Sequence, residues 1–361
     1  MKISTSTFNQ SASSNLSAKS AFDKLNNTDL QEHLLKGVSR TFALTIPQLP
    51  MKLRHPVSNA YLLCRTIDTI EDEPTLTAVQ KRRFCQQFVQ VVGGQESAAS
   101  FAEDLSPLLS SHTTSYEQEL IHHIHQIIDI TYALDVPQRK ALARCVRIMA
   151  EGMAYFQDKN SGHGLENLAE MNRYCYYVAG VVGEMLTELF CHYSPEIGKN
   201  HDKMMHLAVS FGQGLQMTNI LKDIWEDQER GACWLPRDIF EQEGFDLDNL
   251  GQTDKNFERG LVRLIGLAHA HLYNAFQYTL MIPSYETGIR KFCLWALGMA
   301  VLTLQKINRN RNFTRSEQVK ISRNSVKATV VASNLAVRND FLLKLFFNAS
   351  RAGLPFTKIV D

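Results

Sequence analysis

Beyond residue 29, apolar side chains return every three or four positions, as in Leu30, Leu34, Leu35 and Val38, while sustained alternating runs of the strand type are scarce. A chain with this rhythm buries helix faces, so an all-α protein is expected. Prolines punctuate the pattern. Pro47, Pro50, Pro56, Pro74, Pro107, Pro137, Pro195, Pro236 and Pro283 read as breaks between helices, which divides the chain into roughly ten to a dozen of them.

No Gly/Ser linker or shift of composition separates the two halves. One helical domain is therefore expected over 28–345, between a polar N-terminal tail at 1–27 and a C-terminal tail at 346–361. The N-terminal tail is rich in Ser, Asn and Thr and lacks the apolar stretch of a secretory signal. The strongly apolar run at 292–304 is shorter than the ~20 residues that cross a bilayer and reads as a buried core helix. No membrane anchor is expected after the domain.

With 361 residues, 44% hydrophobic and 21% charged, the chain can bury a large core. Its 38 Lys and Arg nearly balance 37 Asp and Glu, so no global field favours nucleic acid, and anion binding must be local. Seven cysteines show no paired spacing for zinc or a disulfide framework, which fits a reducing, cytoplasmic setting.

Two segments carry chemistry. The first, at 61–74, reads YLLCRTIDTIEDEP. Asp68, Glu71 and Asp72 share one helix face, and the same stripe continues back through Arg65 to Tyr61. The second, at 216–231, reads QMTNILKDIWEDQERG and aligns Asn219, Asp223 and Asp227, with Glu226 on the flank and Gly231 suited to the helix end. One such cluster could be a solvated helix face. Two of them, set among Leu, Ile, Cys and Trp, would bury like charges at a cost unless a cation joins them. Mg²⁺ fits, because it takes oxygen ligands from one or two carboxylates and completes its octahedron with substrate phosphates. Two facing acidic helices could thus clamp a diphosphate and help it leave.

These paired motifs, with Ser39-Arg40-Thr41-Phe42 upstream and Tyr174-Cys175-Tyr176-Tyr177-Val178-Ala179-Gly180 between them, resemble the squalene/phytoene synthase family over roughly residues 35–330. Within it, Cys175, the Phe292-Cys293 helix and the Val319-Lys320-Ile321 stretch look more like the squalene synthase branch than the shorter carotenoid enzymes. The resemblance implies the helical isoprenoid synthase fold around a central hydrophobic cavity. It implies Mg²⁺ held by Asp68, Glu71, Asp72, Asp223 and Asp227, with Asn219 at the second site, and diphosphate contacts from Arg65 and Lys222. Ser39 and Arg40 would lie near phosphate, Gln216 near substrate, and Phe42 and Phe292 along the cavity. Tyr61 and Tyr174 are candidates for handling a proton, and Lys320 and Arg323 for binding NADPH.

The implied reaction joins two farnesyl diphosphates head to head into presqualene diphosphate, which is then reduced to squalene. Stopping before reduction, at presqualene diphosphate, dehydrosqualene or phytoene, is the alternative within the class. A non-catalytic assembly factor is the alternative outside it, and degraded aspartate motifs would mark it. Lys222 stands where eukaryotic members carry Arg, which keeps charge but loses the bidentate fork. A monomer, cytoplasmic and peripheral to the inner membrane that receives a greasy product, completes the expectation. His122, His123 and His125 lack a carboxylate or Cys at ligand spacing and are set aside.

Overall fold

Leu30, Leu34 and Leu35 meet the core along one face of α1 (Asn27–Val38), as their spacing requires. The computed structural model describes residues 27–39, 41–157, 162–252 and 254–359. Among the helices that follow are α2 (Met51–Asp72), α3 (Ala78–Gly93), α4 (Ser115–His122), α5 (Val136–Gln157), α6 (Leu168–Cys175) and α7 (Val181–Tyr193). After them come α8 (His201–Lys222), α9 (Ile224–Glu229), α10 (Lys255–Met281), α11 (Thr287–Arg309), α12 (Arg323–Ala336) and α13 (Asp340–Ser350). Among the described residues there is no strand, and Leu165 and Pro236 share one isolated bridge.

The described residues break into more helices than the prolines suggest. Short helices fill several connections, and the chain kinks at His123 and at Asp223, where φ is −94° and −102°, without any proline. Conversely Pro56, read as a break, lies inside α2. It is the sixth residue of that helix, so its missing N–H forfeits only one bond near the N-terminal end, and burial of the long apolar face outweighs that loss.

Helix α8 lies at the centre, packed along α10 and against α7 and α11. Glycine lets the backbones touch there. A Cβ on Gly212 of α8 would come within 2.2 Å of the Ala179 carbonyl oxygen, and one on Gly183 of α7 within 2.2 Å of the Ala208 oxygen. Residues 176–180, which join α6 to α7, form one wider π-helical turn at that crossing. The crossing fixes the wall of the cavity described below.

Helix α11 contains the apolar run noted in the sequence. It is long and apolar enough to cross a membrane by length and composition alone, yet 61% of that window is buried within the protein. Near its start, the buried Arg290 bonds the Ile282 and Val337 carbonyls and pairs with Asp340 at 2.6 Å. At the C-terminal end, the boundary expected at 345 falls within α13, which continues to Ser350 because Phe347 is buried and stacks on Phe276. Residues beyond it return along α10, where Thr357 N–H donates to the Gly266 carbonyl at 3.2 Å.

Candidate active site

Helix α2 ends in the first acidic cluster, and the periodicity of its buried residues aims that cluster at a cavity. Leu62, Leu63, Ile67 and Ile70 fill the core, which leaves Tyr61, Arg65, Asp68, Glu71 and Asp72 on the cavity face. Asp68 and Glu71 are half-buried, while Asp72 opens to the mouth. Desolvation lifts the Asp68 carboxyl to about 7 and the Glu71 carboxyl to about 8, with Asp72 adding its repulsion to both. Asp72 is raised as well, by desolvation and by Glu117, against the pull of Arg65, Arg230 and Lys81. Glu73, one residue further, faces the other way. It accepts bonds from Thr75, Ser110 and Thr113, and these hold its carboxyl down at about 2 against desolvation.

Arg65 is fixed from two sides. It pairs with Glu117 of α4 and lies 3.8 Å from Asp68. Glu117 in turn accepts from the Thr114 backbone N–H and hydroxyl, both at 2.8 Å, in a capping box at the start of α4. Desolvation opposes its charge, but Arg65 and Thr114 hold the Glu117 carboxyl below its ordinary value. The Arg65 Nε is buried without a partner, a donor suited to a phosphate oxygen.

The second acidic cluster faces the first from α8 and α9. Gln216, Asn219 and Lys222 line the cavity. Two i to i+4 bonds carry the chain across the kink at Asp223, from Asp223 N to Asn219 O and from Asp227 N to Asp223 O, both at 2.9 Å. Asn219, Asp223 and Asp227 therefore stay in register. Asp223 pairs with Lys222 at 3.0 Å and, like Asp227, is not among the cavity-lining residues. Asp227 is raised to about 6 by desolvation and then by Asp223, and Asp72 contributes too. Asp227 likewise helps to raise Glu71, so the two clusters feel each other across the mouth.

Below the mouth the cavity encloses about 1180 Å³, above the ~300–1,000 Å³ of drug-sized sites. Its apolar walls include Phe42, whose ring is 5.0 Å from Tyr61 and 6.5 Å from Phe292. The Tyr61 hydroxyl donates to Val38 O at 3.3 Å. Tyr174 also lines the cavity and stacks on Trp234 at 3.9 Å. Burial raises both phenols, so they stay protonated. The Ser39 hydroxyl oxygen accepts from the Phe42 N–H at 3.0 Å, and the side chain also bonds Tyr61. Arg40 lies outside the described residues. Lys320, from the loop before α12, and Arg323, the first residue of that helix, reach the cavity, and Lys320 pairs with Glu317 at 2.8 Å.

No three His, Cys, Asp or Glu side chains among the described residues gather tightly enough to hold a metal ion by themselves. The oxygen donors nevertheless fit Mg²⁺, which is commonly held by few carboxylates with phosphate oxygens completing its shell. Asp68, Glu71 and Asp227 are raised first by desolvation and then by neighbouring carboxylates, and a divalent ion would offset both.

The squalene/phytoene synthase family model matches residues 35–325, which contain both acidic helices and the π-helical turn. The chain belongs to the squalene/phytoene synthase family. A squalene synthase of Gibberella zeae is 30% identical over 297 residues, 78% of this chain and 59% of that protein. One of Schizosaccharomyces pombe is 29% identical over 286 residues, 77% of this chain and 59% of its own length. The chain thus spans about three fifths of the length of these curated relatives. The solved ligand complex of TcSQS superposes with a TM-score of 0.73 at 22% identity, covering 92% of this chain and 94% of that one. The fold is the all-α isoprenoid synthase fold.

Within this family site, sequence reasoning missed the groups that neutralise charge from other elements. Glu117 steadies Arg65, Lys81 of α3 bonds the Glu71 carbonyl, and Arg230 lowers both Asp72 and Asp227. The Thr114 to Glu117 capping-box spacing was visible in the sequence as a helix start, but nothing there joined it to Arg65. Glu226, read as a flank residue, bonds the Ser316 N–H at 2.8 Å and so ties α9 to the loop before Lys320.

Proposed function

We propose that this chain is a Mg²⁺-dependent farnesyl-diphosphate farnesyltransferase that forms presqualene diphosphate and reduces it to squalene with NADPH. The observation that carries this reading is the pairing of two acidic helix ends with Arg65 and Lys222 at the mouth of one large aromatic-lined cavity. The polar mouth suits diphosphate and the apolar interior suits prenyl chains. Similarity to the fungal squalene synthases supports the choice of substrate and product.

Asp68, Glu71, Asp72, Asn219, Asp223 and Asp227 would hold Mg²⁺, which when bound supplies Lewis-acid stabilisation to a departing diphosphate. Arg65, steadied by Glu117, and Lys222 would orient the diphosphate oxygens. Phe42 and Phe292 line the cavity, where their rings would offer a carbocation cation-π attraction. Tyr61 and Tyr174 keep their protons, so either would take the proton lost as the cyclopropane closes only while giving its own to the released diphosphate. Lys320 and Arg323, which line the cavity, would grip the phosphates of NADPH, and the cofactor would supply the hydride of the second half. The product would leave toward a membrane, with the enzyme monomeric and peripheral to its cytoplasmic face.

The test is incubation with farnesyl diphosphate and Mg²⁺, with and without NADPH, and identification of products by mass spectrometry. Squalene formed only with NADPH is expected. Presqualene diphosphate or dehydrosqualene regardless of NADPH would retain the transferase half and remove the reductase half, and no product would reject both. Asp68→Asn and Asp223→Asn should each lower turnover by ~10²–10³-fold, the equivalent of several kcal/mol of lost metal assistance, while circular dichroism shows an intact fold. Near-normal turnover in both would sink the metal assignment.

A further inference from the structure

Helix α12 has two working faces. One contributes Arg323 and Val326 to the cavity, and Thr329 packs against Gly298 of α11. The other is apolar and open to solvent, with Val331 58% and Leu335 74% exposed, four residues apart on one stripe. The stripe continues after a short turn into α13, whose Phe341 is 74% and Leu345 53% exposed, while Leu343 and Phe347 face the core. Leu335 and Phe341 flank the turn, so the two helices present adjoining apolar surface. Single exposed apolar residues need no account, but four large ones on neighbouring helices do.

Charge identifies what covers them. The chain as a whole is almost neutral, yet between residues 318 and 359 it carries seven Lys and Arg against one carboxylate, Asp340. Asp340 is already committed to Arg290. Lys327, Arg338 and Lys344 border the apolar stripes, are exposed, and have no carboxylate partner among the described residues. A second copy packed on this face through a two-fold axis would bring these same cations toward one another. An anionic bilayer offers both an acyl boundary and negative headgroups.

We propose that the outer face of α12 and α13 docks on an anionic bilayer. Val331, Leu335, Phe341 and Leu345 enter the acyl boundary, and Lys327, Arg338 and Lys344 lie at headgroup level. The wall of the cavity is then also the membrane-facing wall, which shortens the path of an apolar product into lipid. That purpose rests on the function proposed above, whereas the binding itself does not.

The experiment is flotation of the full chain with vesicles of phosphatidylcholine alone or with about a third phosphatidylglycerol, at low and high salt. The wild type should float with the anionic vesicles at low salt and be released by high salt. Leu335→Asn with Phe341→Asn, and separately Lys327→Gln with Lys344→Gln, should each weaken partitioning about tenfold or more, with thermal unfolding near that of the wild type. Failure of the folded wild type to float with anionic vesicles at low salt would overturn the proposal. So would equal flotation of both double variants, or a wild-type dimer by sedimentation that Leu335→Asn with Phe341→Asn dissolves. Pyrophosphate release from farnesyl diphosphate, which should persist in both double variants, tests the catalytic reading separately. A wild type that floats without releasing pyrophosphate would sink that reading and leave the docking face standing.

Discussion

Arg65 shows how one side chain on this site depends on another that never meets substrate. Its guanidinium is held between Glu117 of α4 and Asp68, with Nε left unpartnered. Glu117→Gln keeps the size and the capping geometry but removes the charge. It should lower kcat/KM for farnesyl diphosphate by about tenfold, since charge-assisted bonds are worth ~1.5–3 kcal/mol and part of that remains in the amide. Inhibition by free pyrophosphate should weaken in parallel, because the defect lies in positioning a phosphate ligand. A variant with altered stability but wild-type kinetics and pyrophosphate affinity would reduce Glu117 to a helix cap.

The acidic helix ends respond to pH as units. Asp68, Glu71 and Asp227 have carboxyls lifted to about 7, 8 and 6, so protons compete with a metal there between those values. Raised carboxylates are charged only above their pKa, hence the apparent Mg²⁺ affinity should fall as pH drops from 8 to 6. Titration calorimetry with Mg²⁺ and pyrophosphate across that range checks the direction, and a flat profile would contradict it. The crossing of α7 with α8 is equally sensitive to its small residues. Gly183→Ala or Gly212→Ala drives a methyl against backbone oxygen at 2.2 Å, which no side-chain rotation relieves. Each should cost about 1–3 kcal/mol, read as a lower thermal midpoint, and impair activity because the cavity wall moves with the helices.

On the scale of the whole molecule, the long seam between α8 and α10 carries an acid-sensitive group. His271 is buried, its Nδ1 lies 2.7 Å from the Ser210 hydroxyl, and Gly214 gives its Cβ room. Burial lowers it to about 4, and His269 on the same helix is also lowered. A folded-state value below the unfolded one means that the native state resists protonation. The stability is complete above about 6.5 and declines as pH falls toward 4. His271 alone contributes up to about 3 kcal/mol to that loss. Denaturant unfolding at pH 7 and pH 5 should show the decline, and His271→Gln should flatten it. An unchanged slope in that variant would place the acid sensitivity elsewhere.

Much of this protein was legible in its sequence. Helical periodicity follows from local geometry, so α1, the long stripe of α2 and the register of Asn219, Asp223 and Asp227 could be read from spacing alone. The chemical character of the two acidic clusters was legible for the same reason, since i, i+3 and i+4 neighbours share a face wherever the helix goes. Spacing could not show that the helix at 216–231 kinks at Asp223, because a break in nearly helical backbone, with no proline or glycine at it, leaves no mark in residue type. Nor could it show that Pro56 lies within α2, where burial overrides the local preference. Glu117, Lys81 and Arg230 are 52, 10 and 158 positions from the residues they steady at 65, 71 and 72, and only tertiary packing brings such charges together. The cavity and the open outer face of α12 and α13 are likewise products of packing. A sequence determines which residues can share a helix face, while the assembled helices decide which faces meet each other and which meet lipid or water.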